Sequence, residues 1–513
     1  MRQGSGRALF VRIGSMHMGL QLRSLRRLAV GSLLSVAGLM FAQDGSLQGL
    51  LAAHQYAETL RGADVQLQAR KADPQLWFVK GLALAGLGRA SQSLASLDQA
   101  LVLSHNATPV LEAAAQTAYG ARNKRAGHYL DMLLAQNAGN QVAQAMAGVL
   151  AYERKDCPAA EGHFAKAHEA MKGNLPAEMQ YGDCLLQTGG VEQGTTLFEE
   201  LARANPNVPV LGYDEAVAYM RAGRFADAVR VLKGMQASGE MLEGDTLNLL
   251  GAAYSGNGQL AEAIAAYRQG AQESPTDDRN YIDLAILSVE HQSPRVAVEV
   301  LDAGIRVNPK SAALYALRGA VRAQLSQNDA AAEDFEAANR LDPSKLYGAV
   351  GLGVLLRDTS KLGEAEQLLR ERLRAHPNDA TLNYLVADVL IREGVEPGAP
   401  RFAEARRLLV RAVRLKPDLA VAYGELGKLD LKAGRSEEAI GELETGVRYD
   451  STDRTSLNQL IAAYRRAGRT EDAARVAGQL AKDVAGDRAQ ETERNRVRIT
   501  VAASPGAGAE ARN

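Results

Sequence analysis

The chain has 513 residues, with eight histidines and two cysteines. Catalysis or metal binding would require some of these to converge at fixed spacing. Two histidines that clamp a zinc ion from one helix stand four apart, so that both rings leave the same face. His163 and His168 are five apart and do not share a face. The sequence contains no HExxH, no phosphate-cradling glycine loop, no GxSxG turn and no paired CxxC. Acidic residues are plentiful, but the 60 Asp and Glu are interspersed with 59 Lys and Arg, the pattern of solvated helix faces. That balance also argues against nucleic acid as a partner, since phosphate binding needs a clustered basic face. These residues therefore predict no enzyme, no metal site and no cofactor.

The elements that would have to position any site follow a repeat. Pro275, Pro309, Pro343 and Pro377 are each 34 residues after the last, and the same two-part apolar pattern recurs between them. Ala285, Gly319 and Gly353 form one column, Ala297, Ala331 and Ala365 a second, and Leu301, Phe335 and Leu369 a third. The first two columns hold the smallest side chains of their neighbourhoods, as two antiparallel helices of a hairpin need where they approach closely. The third is expected to fill the gap between one hairpin and the next. Each proline ends a second helix, because it lacks the N–H and clashes with the preceding turn. Ser326, Gln327 and Asn328 break one block into its two helices.

On Tyr315, Gly319, Ala331, Phe335, Ala338 and Pro343 this pattern resembles the tetratricopeptide repeat, a helix-turn-helix unit of this period. The resemblance implies an all-α fold, a right-handed α-solenoid of about twelve such repeats. The small-residue column can be followed from Gly81 through Ala114, Gly148, Gly182, Ala216, Gly251, Ala285, Gly319, Gly353, Ala387 and Gly427 to Ile461. One unit is enlarged: Gly394 to Pro400 (GVEPGAP) adds six residues between its helices, and such an insertion becomes a loop on one rim. Second helices are expected to be capped by hydroxyls, as at Ser436 and Thr470. Cys157 falls near the turn of one repeat and Cys184 within the first helix of the next, so the pair is open to two readings: a disulfide, or two buried small apolar side chains.

The ends read differently. Residues 1–43 combine Arg23, Arg26 and Arg27, an apolar run from Leu28 to Ala42 and a small residue at its end, the parts of a secretory signal peptide, with translation starting at Met16 or Met18. Cleavage after Ala42 predicts an exported, periplasmic or secreted protein; an uncleaved leader would tie it to a membrane. Residues 44–73 are read as an N-terminal capping helix or a decayed first repeat, 74–484 as the solenoid, and 485–513 as a charged and then disordered tail.

In tetratricopeptide arrays the first helices line a concave groove, and the resemblance places Arg279, Ile282, Ile286, Ala316, Ala320, Tyr347, Val350, Val354, Tyr384 and Asp388 along it. Arg357 and Lys428 edge the same strip. Ile282, Ala316 and Val350 stand where carboxylate-clamping members of the family carry polar or basic residues. The implied partner is therefore an apolar or amphipathic segment of a protein or peptide. Some of these side chains could instead pack first helices against one another. The implied function is a non-catalytic scaffold outside the cytoplasm; an accessory subunit of a polysaccharide-export or outer-membrane assembly machinery is the alternative.

Overall fold

The computed structural model describes residues 47–237 and 244–485. The proposed leader, most of the charged tail and part of the connection around Met241 lie outside the described residues. Among the described residues every regular element is helical. The chain divides into two compact units, one comprising Met1–Leu242 with Leu249–Ala263, the other Glu243–Asn248 with Ile264–Asn513.

In the first unit a short helix, Leu47–Ala52, and a longer one, Tyr56–Ala69, precede the hairpin of Pro74–Gly86 and Ala90–Leu103. The segment read as a single capping helix is thus two, because residues 53–55 break it with His54 in the left-handed region at φ 58°. Further hairpins follow up to Pro209–Arg221 with Phe225–Ala237. In the second unit the hairpins run from Asp278–Glu290 with Pro294–Val307 to Arg454–Arg466 with the helix 470–485. Within each unit helices pack mainly on their sequence neighbours, and a first helix also touches the first helix of the next hairpin. The core is accordingly a chain of small clusters, as expected when each repeat buries its apolar face only against its neighbours.

The columns have the close contacts their sizes predict. A Cβ added at Gly353 would lie 2.6 Å from Leu369, one added at Gly182 2.7 Å from Phe198, and one added at Gly319 3.0 Å from Phe335. Each pair is one hairpin's own first and second helix. The third column therefore does more than bridge hairpins: Phe335 sits on Gly319 of its own hairpin and on Gly351 of the next. Where Ser93 replaces the small residue of the second column, its hydroxyl donates to the Gly81 carbonyl across the hairpin at 2.7 Å, which satisfies a buried polar group.

Helix boundaries are set by backbone chemistry. The prolines follow the helix ends, with Pro309 two residues after Val307 and Pro343 two after Leu341. Side-chain caps stand mostly on first helices, where Asp73, Asn140, Asp277, Ser311, Asp379 and Asp453 accept from amides of the opening turn. The expected hydroxyl cap at Ser436 is not formed; Ser436 is the first helical residue and Arg435, with no capping side chain, precedes it. The turn inside the hairpins reverses at a left-handed residue, seven positions after the small-residue column except after Ala114, where Arg122 stands eight positions on. Gly88, Gly189, Gly223, Gly258, Gly434 and Gly468 occupy it in some hairpins, and Lys155, Gln292, Ser326 and Ser360 in others. An L-residue there costs about 1 kcal/mol.

Candidate functional site

In the second unit the first helices Asp278–Glu290, Ala312–Gln324 and Tyr347–Asp358 lie side by side. Helical spacing then repeats one face along each: residues three and four apart stand one above the other. Ile282 and Ile286 leave the first helix on this face, Ala316 and Ala320 the second, and Tyr347, Val350 and Val354 the third. Together they line a hollow of ≈ 770 Å³. Its walls also include Ala313, Leu317, Ala323, Gly351 and Leu355, and polar groups come from Gln324, Asn328, Asp358 and Thr359. Ala313 and Leu317 complete the i, i+3, i+4, i+7 stripe of which only two members were named from the sequence. That spacing was the available signal for them.

The hollow is apolar yet wet. Tyr347 is 52% exposed, and Ile282, Ile286, Val350 and Val354 are half-buried, with Ile282, Val350 and Val354 packed on the core clusters. The alanines are small because larger side chains would close the space between the flanking helices. The floor includes the buried Phe335 ring, which packs where Gly351 leaves room for it.

Three of the expected groove residues stand outside this hollow. Arg279 donates to both oxygens of Asp277 and pairs with Asp245 of the preceding hairpin, so its charge is held between repeats. Asp388 is 2% exposed, accepts from Arg357 at 2.7 Å and pairs with Arg392 at 3.2 Å. A buried carboxylate between two guanidiniums belongs to the seam of two hairpins. Tyr384 packs against the cluster around Leu385 and Leu390, and burial together with the nearby Asp388 carboxylate pushes its hydroxyl up to about 12. For Tyr384 the inter-helix packing reading describes the structure. Lys428 pairs with Glu425 on its own helix at 3.0 Å.

The cysteines lie in the first unit. Cys157 is the first residue of a second helix, Cys157–Phe164, and Cys184 lies in the next hairpin's first helix, Leu175–Thr188; their sulfurs are joined, with the Cα atoms 4.9 Å apart. The contact thus joins a second helix to the following first helix. His163 Nδ1 lies 2.6 Å from Gln144 Oε1. Among the described residues no three His, Cys, Asp or Glu side chains are placed to hold a metal ion, and no described helix is long and apolar enough to cross a membrane.

A run of helical hairpins with one small-residue seam each, and an apolar hollow across three first helices, defines a helical-repeat protein of the α-solenoid class. The chain contains tetratricopeptide repeats. Tetratricopeptide-repeat family models match residues 213–278 and 255–321, and a bacterial transcriptional activator domain model matches 393–499. Over 187 residues the chain is 29% identical to anaphase-promoting complex subunit 7 of Arabidopsis thaliana, covering 36% of this chain. It spans about a third (32%) of that relative's length. Among solved structures, yeast Tom70 has a TM-score of 0.41 at 15% identity, covering 93% of this chain and 98% of that one. A tetratricopeptide-repeat protein from Parabacteroides merdae has a TM-score of 0.41 at 19% identity, with 52% and 98% covered. YrrB, described as having an unusual peptide-binding site, has a TM-score of 0.28 at 19% identity, with 38% and 97% covered.

Proposed function

We propose that this protein is a non-catalytic scaffold that holds an apolar or amphipathic segment of a partner protein in the hollow between Ile282 and Thr359, and that it does so outside the cytoplasm. The observation that carries the reading is the exposed apolar lining: Tyr347 and its neighbours form a contiguous patch that water solvates poorly, of the kind that marks an interaction site. The recognition mode is a segment laid across first helices, its apolar side chains entering between Ile286, Ala320 and Val354. The extracytoplasmic address is supported by the bonded Cys157–Cys184 pair and by the leader-like composition of residues 1–43.

The test places a photo-crosslinking residue at Ala320 and compares capture of a partner in intact cells with and without Val350→Glu plus Tyr347→Ala. A carboxylate at position 350 would face the docked apolar chain without a partner, which costs about 2 kcal/mol or more. Capture is expected to fall at least tenfold, with helical circular dichroism unchanged. Undiminished capture of the same partner would place binding on another face. Cell fractionation reads the address separately.

A further inference from the structure

The second helix Cys157–Phe164 has 8 residues, whereas its counterparts before and after, Ala126–Gln136 and Val191–Ala204, have 11 and 14. The helix stops at Ala165. Residues 165–167 turn, a single turn His168–Met171 follows, and Gly173 at φ 78° leads the chain into Leu175–Thr188. Yet the apolar side chains that a full-length helix would carry inward are still inside: Phe164 and Ala167 are fully buried and Met171 is 1% exposed. A helix this short has too few backbone hydrogen bonds to persist on its own. What holds this stretch down is its buried apolar side chains together with a covalent tie.

The disulfide is placed to do so. It joins the first residue of the short helix to the middle of the next first helix and closes a loop of sequence separation 27 that contains the entire break. We propose that Cys157–Cys184 is a reversible redox latch: it stands in for the missing helical turns, and its reduction releases residues 157–174 while the neighbouring hairpins stay folded. A dithiol reductant supplies the two electrons. One of its thiolates attacks a cysteine sulfur and breaks the S–S bond to give a mixed disulfide. Its second thiolate then displaces the remaining cysteine thiolate, and protonation leaves Cys157 and Cys184 as thiols and the reductant as a cyclic disulfide. Both sulfurs are shielded, Cys157 being 6% exposed and Cys184 0%, so attack waits on transient opening of the same segment.

The experiment is hydrogen exchange by mass spectrometry on the full chain, oxidised or treated with dithiothreitol, with alkylation under denaturing conditions confirming both thiols. Losing the loop constraint is expected to accelerate exchange in 157–174 on the order of a hundredfold, with the hairpins of 74–136 and 278–375 unchanged. Trypsin, which meets exposed Lys166 and Lys172 on either side of buried Met171, is expected to cut there only after reduction. Cys157→Ala with Cys184→Ala should exchange fast under both conditions. Unchanged exchange in fully reduced wild-type protein would overturn the proposal, as would an acceleration spread evenly over the first unit.

Discussion

Gly427 and Gly441 lie in the two helices of one hairpin, Ala420–Lys432 and Ser436–Tyr449, and the same substitution to alanine should move stability in opposite directions at them. Alanine in a helix interior is favoured over glycine by about 1 kcal/mol. At Gly441 the added methyl would meet nothing within 4 Å, so Gly441→Ala should realise most of that and stabilise by about 0.5–1 kcal/mol. At Gly427 the methyl would lie 2.5 Å from Leu443 Cγ and 2.9 Å from Cδ2, against a comfortable carbon–carbon separation of about 3.5–4.0 Å. Leu443 is fully buried and its branch carbon cannot swing away without moving the backbone. Overpacking of that kind costs about 1–3 kcal/mol, which outweighs the helix gain, and Gly427→Ala should destabilise by about 1–2 kcal/mol. Gly319→Ala should also destabilise, but by less than Gly427→Ala, because the methyl would meet the Phe335 ring at 3.0 Å and the Ala331 carbonyl oxygen at 3.2 Å. Repeat arrays need not unfold as one unit, so the assay is urea unfolding by circular dichroism together with hydrogen exchange resolved to residues 420–466. If Gly427→Ala and Gly441→Ala shift stability in the same direction, the small-residue column is not the seam that lets the helices approach.

Asp388→Ala should destabilise the second unit by about 3 kcal/mol, because it strands Arg357, whose side chain is 14% exposed, without its buried partner; Asp358→Ala, which removes a half-exposed partner of the same arginine, should cost well under 1 kcal/mol by the same urea titration. Asp214 is pushed up to about 7 from 3.8 by burial first and the neighbouring Asp183 second. Its carboxyl is held protonated more tightly in the folded chain than in the unfolded one, so its contribution is fully present below pH 3.8 and is lost as pH rises to about 7. Asp214→Asn should therefore be more stable than wild type at pH 8, by roughly 2 kcal/mol after allowing for solvent at this half-buried group, and the difference should close towards pH 4; a constant difference across that range would refute the assignment.

The hairpins were legible in the sequence because their constraint is local and steric. Only small residues tolerate the approach measured at Gly182, Gly319 and Gly353, so the column shows in composition alone, and proline marks helix ends through a missing donor. The left-handed turn position was not legible. Glycine fills it at Gly88, Gly258 and Gly434, but Gln292, Ser326 and Ser360 adopt the same conformation, and a column that mixes glycine with polar residues looks like an ordinary loop. The hollow was half legible: the repeat positions carried over with the family resemblance gave Ile282, Ile286, Ala316, Ala320, Val350 and Val354, all of which line it. Arg279 and Asp388 came from the same resemblance but do not share that surrounding. Whether a charge faces solvent or a partner across the seam depends on the neighbouring hairpin, about 34 residues away by the repeat, and no pattern within one helix carries that information.

The same seams explain why the hollow is apolar. The guanidiniums of Arg318, Arg357 and Arg279 stand on the three helices that form it, and each is already engaged. Arg318 donates to Asp334 of its own hairpin and to Asp302 of the one before, at 2.6 Å and 2.5 Å; Arg322 also donates to Asp334, at 2.9 Å. Arg357 reaches forward to Asp388 and Arg279 back to Asp245. Buried pairs of this kind contribute little net stability once desolvation is counted, but removing one partner is expensive, so they penalise any sliding of one hairpin on the next. Charge fixes how consecutive hairpins meet, and the first-helix faces left between those pairs are Ile, Ala, Val and Tyr. A segment docked there as proposed would meet no cation among the lining side chains, and its binding would come from apolar surface removed from water, at about 25 cal/mol for each Å² buried.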